Sequence, residues 1–342
     1  MASIMTESCF IAGIRTCVPA RSSDNLYDNT AFSPAEIRKV VAMAGVRNRR
    51  IADDSVCSSD LCVDAAKNLM NDIGWDPVSV DGIIVITQTP DYFLPQTSAV
   101  IHKALGLSEG CATIDLGLGC SGYPYGLWLA AMMLHSGGIR RILLLHGETP
   151  SRYSREADRS VSLLFGDAGS ATAIESQGSS VDKWHFIMAT DSSGLDDMII
   201  EGGGFRNRFP EEEDKYYVRM NGANVFNFTL KRIPPLVRDT IAFSGLQADD
   251  VDYYIFHQSN QFIMKHLVKK LGIPEARAPI ILKDFGNTGG CSIPLAITQG
   301  NLGRHPDRSL RLMLIGYGVG LSWSAALVDL RPDAVIAHGE RV

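Results

Sequence analysis

Apolar positions along the chain fall into short, nearly continuous runs that alternate with longer segments of helical spacing. The runs are bounded by Gly, Pro or Asp, which is typical of strands buried on both faces. They predict strands at residues 81–89, 140–148, 170–175, 251–258 and 310–318. The segments between them predict helices at residues 59–73, 96–105, 122–136, 224–243 and 260–271. Strands that alternate with helices predict an α/β fold whose sheets are covered by helices.

Two of these units share one plan, in which a predicted strand ends in a polar reactive residue and a helix follows. Cys120 ends the first unit and His257 ends the second. The shared plan predicts duplicated halves, residues 1–180 and 181–342, which meet in the polar segment "SQGSSVDKW". The charged stretch 206–217 is expected to form a solvated surface loop.

The composition indicates a globular chain with a large core, because 45% of its 342 residues are hydrophobic. Its longest apolar stretches, such as Gly126 to Leu134, are shorter than the ~20 residues of a spanning helix, so we expect no membrane insertion. The N-terminal segment has no basic cluster before its apolar run. This predicts a first strand rather than a secretory signal and, by default, a cytoplasmic location.

The net charge argues against a nucleic-acid-binding protein, and the cysteine content argues against a disulfide-rich or metal-binding one. The formal net charge of -6 gives no overall attraction for nucleic acid. The seven cysteines are spread along the chain with no C-x-x-C pair. They predict reduced thiols, with neither a disulfide framework nor a metal site.

Three residues carry candidate chemistry. A helix that begins just after Cys120 would lower the pKa of its thiol through the N–H groups and dipole of the helix. His257 follows the apolar run "YYIF", and Asn287 lies in a glycine-rich turn before another predicted helix. Singly, each has a structural explanation: a buried cysteine, a hydrogen-bonded core histidine and a turn-forming asparagine.

Together the three residues are more informative than any one of them. A cysteine that holds a thioester, with a neutral histidine and an asparagine amide as donors to an oxyanion, fits acyl transfer. The same set also fits a cysteine hydrolase with a Cys-His-Asn arrangement. The residue types alone leave both reactions open.

Five motifs then appear in order over nearly the whole chain: "GCSGYPYGL" (119–127), "FGDAGSATAI" (165–174), "FHQSN" (256–260), "FGNTGGCSIP" (285–294) and "GYGVGLSWSAAL" (316–327). In sequence and spacing they resemble the motifs of β-ketoacyl-acyl carrier protein synthase III, within the thiolase superfamily. The resemblance implies a thiolase-like fold, with duplicated βαβ halves in a five-layered α-β-α-β-α core. It also implies a homodimer that needs no cofactor.

The resemblance assigns roles to particular residues. Cys120 would take an acyl group from acyl-CoA, with the backbone N–H groups of Cys120 and Val319 as its oxyanion hole. His257 and Asn287 would bind the thioester of malonyl-acyl carrier protein and stabilise the enolate that forms when CO2 leaves. Asn260, in the same motif as His257, is implied to contact substrate.

The chain departs from the family pattern where CoA is expected to bind. Lys39 and Met43 replace a tryptophan that stacks on adenine and an arginine four residues later. Arg159 does match a CoA-contacting arginine, although an ion-paired surface residue is an equally ordinary explanation. Acyl-CoA stays the expected starter carrier.

A second departure concerns the acyl pocket. In the family, a phenylalanine from a loop that crosses the dimer interface reaches the partner's acyl pocket. Leu94 takes that place here, with Phe93 beside it. A residue of different shape predicts a starter other than acetyl. The apolar strand at 140–148 is expected to contribute to the dimer interface.

The carrier protein is acidic in general, so an acidic enzyme needs a local basic patch to attract it. Lys265, Lys269 and Lys270 recur at helical spacing after "FHQSN" and are the expected docking residues. A solvated helix face explains the same lysines equally well.

Other reactions on this fold stay open. A related acyltransferase could form an ester or an amide, or join two acyl chains, with the same cysteine and histidine. A cysteine thioester hydrolase is a further alternative. A reversible thiolase is disfavoured because "GYGVG" lacks the second cysteine that thiolases carry in this loop. A non-catalytic subunit is disfavoured because the catalytic set is intact.

Overall fold

The computed structural model describes residues 1–7, 9–177, 183–303 and 306–342. In these ranges the strands are β1 (Ala2–Glu7), β2 (Cys9–Pro19), β3 (Ser22–Asp24), β4 (Asn48–Arg50), β5 (Gly82–Ile86), β6 (Ala112–Leu116), β7 (Arg141–Glu148), β8 (Ala168–Ser176), β9 (Lys183–Thr190), β10 (Met198–Ile199), β11 (Arg219–Met220), β12 (Tyr253–Phe256), β13 (Leu310–Gly318), β14 (Ser322–Leu330) and β15 (Val335–Arg341). The α-helices are α1 (Pro34–Ala44), α2 (Ser58–Ile73), α3 (Thr97–Leu105), α4 (Gly122–His135), α5 (Gly222–Ser244), α6 (Gln261–Leu271), α7 (Leu282–Phe285) and α8 (Ser292–Gln299).

Two mixed sheets form the framework. The larger has the strand order β15-β2-β8-β7-β5-β6, and the smaller has the order β1-β9-β14-β13-β12. In the larger sheet β5 runs parallel to both β6 and β7, and in the smaller β12 runs parallel to β13. These parallel pairs are joined by helical crossovers, and the loops that carry the candidate chemistry follow the carboxyl ends of β6 and β12.

The two sheets exchange their terminal strands. The N-terminal strand β1 pairs with β9 in the smaller sheet, and the C-terminal strand β15 pairs with β2 in the larger. Each predicted half therefore contributes one strand to the sheet of the other. The predicted division between residues 180 and 181 lies outside the described residues.

The sheets and helices stack in five layers, as the fold class predicted. Helices α4 and α8 lie between the sheets, in a core that joins side chains of both. Helices α2 and α3 cover the outer face of the larger sheet, and α5 and α6 cover the outer face of the smaller one. In the described part of the chain, no helix combines the length and the apolar character needed to cross a bilayer.

The apolar pattern located the strands and helices it predicted to within a few residues. The N-terminal run forms two strands, β1 and β2, instead of one. The charged stretch 206–217 is an exposed loop with a short turn of 3₁₀ helix, as expected.

The expected interface role of the strand at 140–148 is wrong. This strand, β7, is paired on both sides by β5 and β8, and most of it is buried. The edge strands of the larger sheet are β6 and β15 instead. A strand with neighbours on both sides has no unpaired backbone groups to offer a second chain.

Candidate active site

Cys120 lies in the loop between β6 and α4, one residue before the helix N-cap, and only 7% of it is exposed. Strand β13 passes directly against it. A Cβ added at Gly318 would lie 2.8 Å from the Cβ of Cys120 and 3.0 Å from its Sγ. Only glycine lets the end of β13 approach the sulfur this closely.

Two backbone N–H groups point at the sulfur of Cys120, its own and that of Val319. The side chain of Val319 faces Gly119, where an added Cβ would lie 3.0 Å from its Cγ1. Val319 therefore supplies a backbone donor at this position. Two adjacent backbone N–H groups beside the sulfur are a candidate oxyanion hole for a thioester bound at Cys120.

His257 follows β12 and is held by hydrogen bonds on both sides. Its backbone N–H donates to the carbonyl of Ile315 at 2.7 Å, and its ring Nδ1 lies 2.8 Å from Ser292 Oγ. Ser292 Oγ also accepts the backbone N–H of Gln258 at 3.0 Å. Because Gln258 already donates to Ser292 Oγ, we expect the hydroxyl to donate to Nδ1 and the ring proton of His257 to lie on Nε2.

The imidazole of His257 is neutral in the folded protein. Burial lowers its pKa to about 3, and an electrostatic interaction with His146 acts in the same direction. A hydrogen bond with the backbone of Gly289 opposes the shift without cancelling it. His257 is thus an uncharged N–H donor at neutral pH.

Asn287 is oriented by its own loop. Its Oδ1 accepts the N–H of Gly289 at 3.0 Å, so the amide nitrogen faces the other way. That nitrogen donates one hydrogen to the carbonyl of Ser259 at 3.3 Å, which leaves its second hydrogen for a ligand. An isolated β-bridge to Phe165 holds the backbone of Asn287. The residue lies between α7 and α8 and does not follow a regular strand.

The three residues line one inner cavity of about 60 Å³. A larger outer cavity of about 590 Å³ lies next to it, between α1, α5 and α6. Five residues line both cavities, among them Asn260 and Met220. The site is therefore a wide apolar entrance that narrows to the sulfur of Cys120.

Backbone N–H groups lower the pKa of Cys120, as expected, but burial outweighs them and the net pKa is raised. Burial raises the pKa of Cys120 from 9.0 to about 12, and the nearby charge of Glu148 adds to the increase. The backbone N–H groups at the sulfur lower the pKa, but by less. Burial can shift a pKa by several units, whereas a helix terminus contributes up to about 2 kcal/mol.

The predicted substrate contacts lie in different places. Asn260 is at the junction of the two cavities, and Arg159 lines the outer one, where its Nη1 lies 3.1 Å from Glu36 Oε1. Leu94 and Phe93 are 79% and 68% exposed on the surface of this chain, and neither lines the described cavities.

The predicted docking lysines share the exposed face of α6. Lys265, Lys269 and Lys270 are all exposed. Lys270 Nζ donates to the carbonyl of Leu230 at 2.9 Å, so part of its hydrogen-bonding capacity is already used.

Sequence reasoning missed two groups around the site. Tyr317 donates its hydroxyl to the carbonyl of His257 at 3.2 Å, and Ser292 contacts the ring. A buried pair, His146 and Glu148, lies 3.8 Å apart behind the loops that carry Cys120 and Asn287. Serine and tyrosine in "GGCSIP" and "GYGVG" were visible in the motifs, but the contacts span dozens of residues and have no local signal.

Comparisons with known proteins identify the family of the chain. Residues 114–192 match the family model 3-oxoacyl-[acyl-carrier-protein] synthase III, and residues 241–330 match the model of its C-terminal part. A β-ketoacyl-[acyl-carrier-protein] synthase III of Nitratidesulfovibrio vulgaris is 31% identical, over 94% of this chain and 97% of the relative.

Solved structures extend the comparison. A 3-oxoacyl-(acyl-carrier protein) synthase from Burkholderia xenovorans LB400 superposes with a TM-score of 0.95 and 38% identity, covering 99% of both chains. The priming β-ketosynthase of the R1128 polyketide pathway superposes with a TM-score of 0.84 and 26% identity, covering 96% of this chain and 98% of the other.

The fold and the relatives define an enzyme of the acyltransferase type, built on the thiolase-like fold. The chain belongs to the 3-oxoacyl-[acyl-carrier-protein] synthase III family. The resemblance of its motifs is confirmed.

The raised pKa of Cys120 predicts how the thiol reacts with iodoacetamide. Alkylation follows the thiolate fraction, so its rate at Cys120 should increase about tenfold per pH unit from pH 6 to 9.5 without a plateau. Mass spectrometry of the Cys120 peptide measures this, with Cys120→Ser to identify the signal. A plateau near pH 8 would contradict the raised pKa.

The raised pKa of Cys120 also makes the stability of the folded protein depend on pH. The unfolded thiol ionises at about 9.0, whereas the folded one keeps its proton to about 12. The folded state thus binds this proton more tightly. The contribution of Cys120 to the free energy of unfolding falls as the pH rises through this window.

Ser292→Ala should change the tautomer of His257. Without the hydroxyl, Nδ1 loses its hydrogen-bond donor, and the proton should distribute between Nδ1 and Nε2. Nitrogen NMR of histidine-labelled protein reads the two forms directly. Thr240→Val is the matched control, because it removes another buried hydroxyl, one that donates within α5. A wild-type protein with the proton on Nδ1 would contradict the assignment.

Proposed function

We propose that the protein catalyses a decarboxylative Claisen condensation that gives 3-oxoacyl-acyl carrier protein and CO2. The observation that carries this proposal is the inner cavity, where a buried cysteine meets two backbone N–H groups and two uncharged side-chain donors. The carrier protein as partner is part of the family's name.

In the first half-reaction, the sulfur of Cys120 attacks the carbonyl carbon of an acyl thioester. The bond from that carbon to the donor's sulfur breaks, and the thiol proton of Cys120 ends on the departing thiol. The oxyanion of the tetrahedral intermediate accepts hydrogen bonds from the N–H groups of Cys120 and Val319. Because the Cys120 thiol is protonated at neutral pH, its proton leaves during this step and not before it.

In the second half-reaction, the thioester carbonyl of malonyl-acyl carrier protein accepts hydrogen bonds from His257 Nε2–H and Asn287 Nδ2–H. The carbon–carbon bond to the malonyl carboxylate breaks and CO2 leaves with its two oxygens. The electron pair stays as an enolate on the carbonyl that both donors hold. The enolate carbon then attacks the acyl carbon on Cys120, the bond from that carbon to the sulfur breaks, and the departing thiolate takes one proton from solvent.

The tautomer of His257 favours condensation over hydrolysis. A hydrolase needs a histidine nitrogen that accepts the proton of the cysteine or of water. The Ser292 contact leaves Nε2 as a donor, and the low pKa of His257 keeps the ring from storing a second proton. Both features suit a histidine that donates a hydrogen bond to an enolate, and both make His257 a poor general base.

We further propose a homodimer formed through the free edge of β6. In the described strands β6 pairs only with β5, and the neighbouring residues Tyr92, Phe93 and Leu94 are strongly exposed. Apolar side chains beside an unpaired strand edge suit a second copy of the chain. In that arrangement Leu94 would reach the partner's site and shape its acyl pocket.

Substitutions of Cys120, His257 and Asn287 should impair different half-reactions. Cys120→Ala should abolish the acyl adduct, whereas His257→Ala and Asn287→Ala should keep it and lose CO2 release from malonyl-acyl carrier protein by about 10²–10³-fold each. Intact-protein mass and labelled CO2 measure the two steps.

Matched controls are His102→Ala and Asn68→Ala, on the outer helices α3 and α2, which should leave both steps unchanged. The proposal is wrong if the wild-type adduct hydrolyses rapidly without a malonyl donor. Loss of the adduct in His257→Ala would instead assign the histidine as a base.

The starter specificity is tested with a panel of acetyl, straight-chain and branched acyl thioesters. We expect a starter other than acetyl, because Leu94 replaces a larger ring and one or two methylenes of extra room are worth about 1–3 kcal/mol. Competition between the thioesters, read from the mass of the Cys120 adduct, ranks them. A clear preference for acetyl would contradict this part of the proposal. The Leu94→Phe variant should shift any preference towards shorter acyl chains.

A further inference from the structure

Glycines and serines face each other on two neighbouring strands beside Cys120. On β13, Gly318 lies opposite Ser322 of β14. Two residues earlier on β13, Gly316 lies opposite Ser324. Residues that lie opposite each other in an antiparallel pair project from the same face of the sheet. Each glycine of β13 therefore leaves room on this face for a serine side chain of β14.

This face of β13 lies directly on the backbone around Cys120. A Cβ added at Gly316 would lie 2.7 Å from the carbonyl oxygen of Cys120 and 2.7 Å from the Cα of Ser121. No side chain fits at that distance, just as none fits at Gly318 beside the sulfur. The two glycines let β13 lie against the loop of the nucleophile, within reach of the serines of β14.

Both serines of β14 contact Ser121, the residue that follows the cysteine. Ser324 Oγ donates to the carbonyl of Ser121 at 2.7 Å. The hydroxyl oxygens of Ser322 and Ser121 lie 2.6 Å apart. None of the three serines is more than 4% exposed, so bulk water does not compete for these hydrogen bonds.

Ser322 extends this contact to Val319. Its Oγ donates to the carbonyl of Val319 at 3.1 Å. A hydroxyl has one proton, so when Ser322 donates to this carbonyl, Ser121 is the donor between the two hydroxyls. The serine pair, Ser121 and Ser322, then joins the residue after Cys120 to the residue that supplies the second N–H at the sulfur.

The carbonyl of Val319 lies in the short turn, residues 319–321, that joins β13 to β14. The far side of this turn is held by Leu321, which exchanges two backbone hydrogen bonds with Asp191, at 2.8 and 3.2 Å. On the near side, Ser322 holds the carbonyl of Val319. Fixing this carbonyl restricts rotation about the backbone of Val319, and therefore restricts the direction of its N–H.

We propose that Ser121 and Ser322 are positioning residues for the acyl-transfer step, and that the serine pair keeps the N–H of Val319 directed at the oxyanion. The hydroxyls act through the backbone of Val319 and do not themselves donate to the oxyanion. This inference rests on the proposed function, because the N–H of Val319 has this task only if Cys120 is acylated.

Ser322→Ala tests the inference, because it removes both hydrogen bonds of the serine pair. We expect kcat for formation of the Cys120 adduct to fall about tenfold, less than the 10²–10³-fold loss of a complete oxyanion donor. The oxyanion exists only after attack on the thioester, so kcat and kcat/KM should fall equally. Intact-protein mass measures the adduct, with the acyl thioester that the wild-type enzyme prefers in the panel above.

A second reaction of the same variant provides the internal control. CO2 release from malonyl-acyl carrier protein without an acyl donor should change less than twofold, because it uses His257 and Asn287 and not Val319. Thr240→Val removes another buried hydroxyl, within α5, and should leave both reactions unchanged. If Ser322→Ala raises KM alone, or slows both reactions equally, its role is generally structural and the inference is wrong.

The two hydroxyls should behave as one unit. Ser121→Ala should lower the rate of adduct formation about threefold, because Ser322 keeps its hydrogen bond to Val319. The double variant should lose no more than Ser322→Ala alone, about tenfold. Independent contributions would instead multiply to about thirtyfold, and that result would contradict the serine pair.

Failure of this inference differs from failure of the proposed function. If the wild-type enzyme forms no adduct with any thioester, the proposed function fails. If it forms the adduct and Ser322→Ala does so at the same rate, only the inference fails. Circular dichroism establishes that each variant is folded. If Ser322→Ala does not fold, Ser121→Ala decides: a selective loss of adduct formation supports the inference, and an unchanged rate overturns it.

Discussion

The site depends on the close approach of the end of β13 to the sulfur of Cys120. The glycine at position 318 allows this contact, and the following residue, Val319, supplies the second N–H at the sulfur. Because β13 also pairs with β12, the strand that leads to His257, one strand sets the position of both groups. Side chains from the two sheets reach the same small cavity only because the sheets pack across α4 and α8.

Burial gives the site its chemical character. It raises the pKa of Cys120 and lowers the pKa of His257, so the thiol and the imidazole are both neutral at rest. Neutral donors suit an enolate that appears only during the reaction, because they are not already neutralised by a permanent ion pair. The price is a nucleophile that must lose its proton within the acylation step.

Much of the architecture could be predicted from local pattern. The apolar runs located β5, β7, β8, β12 and β13, and the order of the motifs identified the family. The exchange of β1 and β15 between sheets could not be predicted, because strand pairing over most of the chain length has no local signal. For the same reason the expected interface strand was wrong, since nothing in its sequence shows that both of its edges are occupied.

The sequence by itself determined which residues form the candidate site, namely Cys120, His257 and Asn287. The order of the motifs can be read without any knowledge of the contacts. Their assigned roles stay predictions. Only the tertiary structure decided the protonation and the hydrogen-bond partners of these residues. The contact of Ser292 with His257 spans 35 positions, and the pairing of Arg159 with Glu36 spans 123. Protonation, tautomer and the charge at the entrance depend on burial and on partners distant along the chain, which local sequence does not encode.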